Sequence, residues 1–114
     1  MQVEASVYFN RVAAGGCESI DNGFGIRVAA HDGEPANFPV RIGTDALDFA
    51  QTPVPADDDQ STWQPGTVQL TLPSGTTYVA VWIFINEGGF NDVAYPEFHG
   101  HYADNASLSV RLLL

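Results

Sequence analysis

The apolar run at residues 78–85 restricts the fold of this chain more than any other part of its sequence. Its residues, Tyr-Val-Ala-Val-Trp-Ile-Phe-Ile, follow the turn sequence Pro73-Ser74-Gly75-Thr76. All except the alanine are β-branched or aromatic, and such a run next to a turn is typical of a buried strand. We therefore predict a strand that is covered on both faces, as in the middle of a sandwich.

Other segments alternate apolar and polar residues with the period of a strand. Residues 2–9, 24–30 and 67–72 each place apolar side chains at every second position. In residues 24–30, Arg27 lies on the opposite face to Phe24, Ile26 and Val28. A short strand at residues 39–42 and a last strand from about residue 107 to 114 complete the predicted set.

The remaining segments are predicted as turns and loops. Residues 45–50 are compatible with a single helical turn, and residues 51–62, with two prolines and the run Asp57-Asp58-Asp59, with an exposed loop. No helix of ten or more residues is predicted. Short strands separated by turns predict an all-β fold, an antiparallel β-sandwich. A chain of 114 residues has room for one such domain, which we place at residues 1–114.

The charge of the chain argues against one class of partner, and the length of its apolar runs argues against another. Four arginines, no lysine and fourteen acidic residues give a net charge of −10. Binding to a nucleic acid depends largely on basic residues that neutralise phosphates, so we predict no nucleic-acid partner. The longest apolar run is far shorter than the roughly 20 residues of a membrane helix, so we also predict no membrane insertion.

Three segments are similar to sequence motifs of one group of domains. Trp63 is followed by Val-Gln-Leu-Thr-Leu-Pro-Ser-Gly-Thr-Thr-Tyr-Val-Ala-Val at residues 68–81, and residues 102–110 read Tyr-Ala-Asp-Asn-Ala-Ser-Leu-Ser-Val. Residues 24–33 are similar to an inner strand and its turn. Together they resemble galactose-binding-like jelly-roll domains, which include carbohydrate-binding modules of bacterial extracellular proteins. The resemblance covers roughly residues 20 to 112.

The resemblance implies a location and a function. It implies a jelly-roll sandwich and a non-catalytic carbohydrate-binding module of an extracellular or cell-surface protein. The first residues have neither the basic nor the apolar region of a signal peptide. Either the protein stays inside the cell, or this module belongs to a longer or processed secreted chain, and the resemblance favours the second alternative.

An alternative function follows from a departure from the family pattern. Domains of this family usually begin with additional strands, upstream of the stretch that residues 2–9 resemble. A sandwich without those strands has unpaired edges, which recruit other chains. The alternative is therefore a structural or assembly subunit that self-associates through its open strand edges.

The loop at residues 86–101 combines aromatic and polar side chains, as a sugar-binding loop does. Aromatic faces stack on sugars, and a few polar groups bind the hydroxyls. The proposed ligand-binding residues are Asn86, Glu87, Phe90, Asn91, Asp92, Tyr95 and Phe98. The alternative is that these aromatic residues close one end of the sandwich. Trp63 and Trp82 are predicted to lie in the core.

Asp104 is the candidate metal ligand, because in the resembled family an Asp near the start of the last strand often helps to hold a structural calcium ion. Calcium takes about six to eight oxygen ligands, and Asp104 supplies only a part of such a set. The alternative is that Asp104 hydrogen-bonds to backbone in a turn.

The sequence also bears on a second metal site and on catalysis. His99 and His101 lie two apart and share a face on a strand, but zinc needs a third ligand, such as His31, Asp92 or Glu97. No nucleophile elbow, phosphate loop or zinc-protease motif is present, so we predict that the protein is not an enzyme.

Overall fold

The computed structural model describes residues 1–11, 21–37, 45–55, 59, 61–87 and 101–112. These residues form two antiparallel three-stranded sheets, with the strand orders β4-β1-β6 and β3-β2-β5. The strands are β1 (Gln2–Arg11), β2 (Asp21–His31), β3 (Asp48–Pro55), β4 (Gln64–Thr71), β5 (Tyr78–Glu87) and β6 (His101–Arg111), with a short 3₁₀ turn at Pro35–Asn37. The predicted all-β sandwich is confirmed.

The core lies between the central strands of the two sheets. In β1 the apolar row that alternation predicts is buried, and so is the corresponding row of β2; the two rows are Val3, Ala5, Val7 and Phe9, and Phe24, Ile26, Val28 and Ala30. Val54, Val68 and Leu70 extend this core toward β3 and β4. Because burial of apolar surface is the main stabilising contribution, these facing rows hold the sheets together.

On the β3–β4 side, the two sheets approach each other closely. Gly66 of β4 is buried, and a Cβ at this position would lie 3.0 Å from both Phe9 and Val54. The side chain of Gln64 donates a hydrogen bond to the carbonyl oxygen of Pro55 on β3. This side of the sandwich is therefore closed by direct packing and by a polar contact.

The opposite side, between β5 and β6, is open. Val81, Ile83 and Ile85 point toward the inside of the sandwich from β5, as Leu108 and Val110 do from β6, yet all five are 37–54% exposed. The prediction that the strand at residues 78–85 is covered on both sides is wrong. β5 is an edge strand, and its inner row lacks an opposing layer within the described part of the chain.

Two further elements differ from the prediction. Residues 48–55 form strand β3, where a helical turn and an exposed loop were predicted, because their backbone pairs with β2. The last strand begins at His101 rather than near residue 107. The proposed strand at residues 39–42 lies outside the described residues.

A β-bulge divides the last strand. Between the pairs Ser6–Ser107 and Tyr8–Asp104, β1 advances by two residues and β6 by three, so β6 carries one extra residue. Asn105 lies in this bulge with a φ of 55°, a left-handed conformation that asparagine tolerates better than most residues. The bulge keeps apolar residues facing inward on both sides of the irregularity.

Candidate functional site

The outer face of the β3-β2-β5 sheet carries the candidate site. Strand β2 buries its even-numbered apolar residues against the other sheet, so Gly25, Arg27 and Ala29 lie on the outer face. The register places Arg27 between Gln51 of β3 and Trp82 of β5. In the same way Gly25 lies between Pro53 and Phe84.

Arg27 is held by two aromatic rings, one from each neighbouring strand. Its guanidinium carbon lies 4.0 Å from the ring centroid of Phe49 and 4.9 Å from that of Trp82. At these distances the cation is attracted to the electron-rich ring faces. We call these three residues the arginine platform.

Arg27 lacks an acidic partner within the described residues. Its Nε atom is buried and has no hydrogen-bond acceptor there, and no described carboxylate forms an ion pair with it. Arg111, by comparison, donates from Nε to the side-chain oxygen of Gln2, 2.9 Å away on the other sheet. A protein with fourteen acidic residues thus leaves the guanidinium of Arg27 without a carboxylate partner in the described chain.

The aromatic surface continues beside Arg27. The outer end of the Phe84 ring occupies the space that a Cβ at Gly25 would need, so the ring packs against the backbone of β2. Phe49 is 52% exposed and offers ring surface to solvent, and Gln51 is exposed next to it on β3. Exposed ring surface with nearby amide and guanidinium donors can stack on a sugar and hydrogen-bond to its oxygens.

Most of the predicted ligand-binding residues lie outside the described residues. Asn86 and Glu87 are the last two residues of β5, where they pair with Gly23 and Asp21. The others, which stay a prediction, are Phe90, Asn91, Asp92, Tyr95 and Phe98. The proposed loop therefore starts two residues after Phe84 on the strand that carries Trp82.

Asp104 forms a local hydrogen bond. Its Oδ1 atom accepts from the backbone N–H of Asn105 at 2.7 Å, next to the bulge. This contact agrees with the alternative role given for Asp104, a hydrogen bond to the backbone in a turn. No cluster of three potential metal ligands occurs among the residues that the structure describes. A role of Asp104 in calcium binding stays a prediction.

The remaining site residues are dispersed. His31 is buried and stacks on Tyr78, with ring centroids 5.1 Å apart, and it belongs to a different sheet from His101. His99, Asp92 and Glu97 lie outside the described residues. The described part of the chain therefore gives no geometry for the proposed zinc site.

Sequence reasoning missed the arginine platform for two reasons. The predictions of core positions for Trp82 and Trp63 are wrong: the register places Trp82 on the outer face, where it is half-buried, and Trp63 is exposed. The sequence pattern also predicts that Phe49 lies in a helical turn. The sequence feature that points to the platform is that Arg27 lies on the opposite face of its strand to the apolar row.

Comparison with known proteins adds no relative. No protein-family model matches the chain, and neither the curated proteins nor the solved structures include a significant match. Within the described ranges, no helix has the length and apolar character needed to cross a membrane.

Proposed function

We propose that this protein is a non-catalytic glycan-binding module of an extracellular or cell-surface protein. The observation that supports the proposal is the arginine platform, with Phe49 exposed beside Arg27 and Trp82 on the outer face of a sheet. Rigid aromatic surface with a few fixed polar groups is the usual composition of a sugar-binding surface. The resemblance to galactose-binding-like jelly-roll domains supports the same function.

The shape of the platform favours an extended glycan. Phe49, Arg27 and Trp82 come from three adjacent strands, and neighbouring strands lie about 4.8 Å apart. The contacts therefore cross the sheet and do not converge in one pocket. The loop proposed from the sequence, with Phe90 and Tyr95, follows the end of β5 and stays in the proposal as a second part of the ligand surface.

A glycan panel with three variants tests this function. The panel consists of neutral and acidic oligosaccharides, and binding is measured by calorimetry with the native chain, Phe49→Ala, Trp82→Ala and Trp63→Ala. Trp63 is a matched control because it is 45% exposed but lies outside the platform. We expect at least one glycan to bind, with affinity reduced at least tenfold in both platform variants and unchanged in Trp63→Ala.

Two results would contradict the proposal. The first is a folded native chain that binds no member of the panel. The second is an equal loss of affinity in all three variants, which would place the ligand elsewhere or show non-specific stacking.

A second candidate function is self-association through the open side of the sandwich. The five half-exposed residues of the inner rows of β5 and β6 support it, because contiguous exposed apolar surface commonly marks an interface. Within the described residues both strands are also edges of their sheets, and an edge strand is a common site of pairing with another chain. We propose that a second copy of this chain covers them about a two-fold axis, which joins the same rows of both copies.

Light scattering after size exclusion tests this association. We expect a dimer that becomes stronger at higher salt, since each copy carries a net charge of −10 and salt screens the repulsion. Leu108→Glu is expected to give monomers, whereas Thr67→Glu on the exposed side of β4 is not. A native chain that stays monomeric at millimolar concentration would exclude this function.

A further inference from the structure

We propose that the arginine platform selects carboxylated glycans, with the guanidinium of Arg27 binding the carboxylate of a uronic acid. This inference rests on the proposed glycan-binding function and names the class of glycan. It starts from the way in which Arg27 is held, and from the absence of a carboxylate partner within the described chain.

The two rings keep the guanidinium in a fixed position. Phe49 and Trp82 contact it from different strands, so their side chains restrict its rotation. A guanidinium presents a planar fork of donors that matches a carboxylate in a bidentate arrangement. Because the arginine side chain is already ordered, it loses less conformational entropy on forming this pair than a freely rotating arginine would.

The neighbouring positions on the outer face are uncharged. Gln51 and Trp82 flank Arg27 across the sheet, and Gly25 and Ala29 precede and follow it along β2. Two titratable groups of this face, His31 and Tyr78, stack on each other at one end, and Asp21 and Glu87 pair at the other end of β2 and β5. The nearest acidic residue along β3 is Asp48, whose Oδ1 atom accepts from the N–H of Phe49.

The net charge of −10 opposes an anionic ligand at long range. At physiological salt the Debye length is about 8 Å, so carboxylates elsewhere on the surface are largely screened. A direct contact with Arg27 is screened much less, particularly where the rings exclude water. The local pairing therefore decides which glycan binds, while the net charge lowers the rate of association.

Matched pairs of glycans test the inference. The probes are oligogalacturonate, oligoglucuronate and oligomannuronate, each with its carboxyl-reduced counterpart, and a sulfated galactan oligosaccharide. Binding is measured for the native chain, Arg27→Gln and Arg27→Lys. Arg111→Gln is the control, because it removes the charge of an arginine that lies on the other sheet.

We expect at least one uronate to bind the native chain tenfold or more tightly than its reduced counterpart. Arg27→Gln removes this preference, and Arg27→Lys retains only part of it because lysine lacks the planar fork. Arg111→Gln leaves the preference unchanged. If Arg27→Gln does not fold, two measurements still test the inference. They are the preference of the native chain between the matched glycans and the change of this preference in Arg27→Lys.

The alternative results separate this inference from the proposed function. Equal binding of uronates and their reduced counterparts leaves the glycan-binding function in place and overturns the selection by charge. A preference for the sulfated glycan alone overturns the assignment to carboxylates. Binding of no probe, neutral or acidic, removes both the function and the inference.

Discussion

The rings of Phe9 and Phe24 stack on each other with centroids 4.7 Å apart and an angle of 11° between their planes. Phe9 belongs to the central strand of one sheet and Phe24 to the central strand of the other. Both side chains are almost completely buried. This pair therefore joins the central strands of the two sheets and supports the sheet on which Arg27 lies.

Truncation of either ring is expected to destabilise the protein strongly. Phe9→Ala and Phe24→Ala each leave a cavity between the sheets and are expected to lower the free energy of unfolding by about 3–5 kcal/mol. Phe49→Ala, which removes an exposed ring, is the control and is expected to cost about 1 kcal/mol or less. Urea unfolding followed by circular dichroism gives these values. A cost for Phe24→Ala no larger than that for Phe49→Ala would show that the two rings do not join the sheets.

Because of the bulge in β6, we expect glycine to be tolerated better than valine at Asn105. Asn105→Gly is expected to change the unfolding free energy little, because glycine adopts a positive φ without strain. Asn105→Val is expected to cost roughly 1–2 kcal/mol, because a branched Cβ is disfavoured in this conformation. The same urea experiment measures both. A valine variant as stable as the glycine variant would exclude the left-handed conformation.

Gly25 and Gly75 predict two different effects of an added methyl group. In Gly25→Ala the new Cβ meets the ring of Phe84, so this ring must leave its place beside the platform. In Gly75→Ala the Cβ meets open space, but the φ of 91° is strained, and stability falls by about 1 kcal/mol. Aromatic NMR resonances of Phe84 are expected to change only in Gly25→Ala. An unchanged Phe84 spectrum in that variant would contradict the packing described for this face.

Asp104 allows the two roles proposed from the sequence to be separated. Asp104→Asn keeps a side-chain oxygen that can accept from the N–H of Asn105, but it removes the charge that a calcium ligand needs. We expect the native chain and the variant to melt at similar temperatures, with calcium and with a chelator. A calcium-dependent rise in the melting temperature that Asp104→Asn abolishes would establish the metal site instead.

Strand periodicity predicted the central part of the fold well. The alternation around Val7 and around Ile26 identified β1 and β2 and the faces that they bury. The pattern succeeds here because each central strand has one face in the core and one face outside it.

The sequence predicted two of the edge strands, β3 and β5, poorly, for physical reasons. Residues 48–55 pair with β2, and this pairing outweighs the local preference that suggested a helical turn. The run at residues 78–85 is apolar on both faces, but only part of it is buried. Trp82 and Phe84 lie on the outer face beside Arg27 and Gly25, while the inner row of β5 faces the open side. The apolar composition of the run does not show which of its faces lies beside Arg27 and which lies on the open side.

The two tryptophans of the chain provide the measurement that we would make first. Each indole N–H gives one signal in a ¹⁵N-correlated NMR spectrum, and Trp63→Phe assigns the pair. Trp82 lies in the arginine platform, and Trp63 lies outside it. On titration with an oligouronate, we predict a saturable shift of the Trp82 signal and an unchanged Trp63 signal. Movement of the Trp63 signal alone, or of neither signal with any glycan tested, would contradict a glycan-binding site on this face.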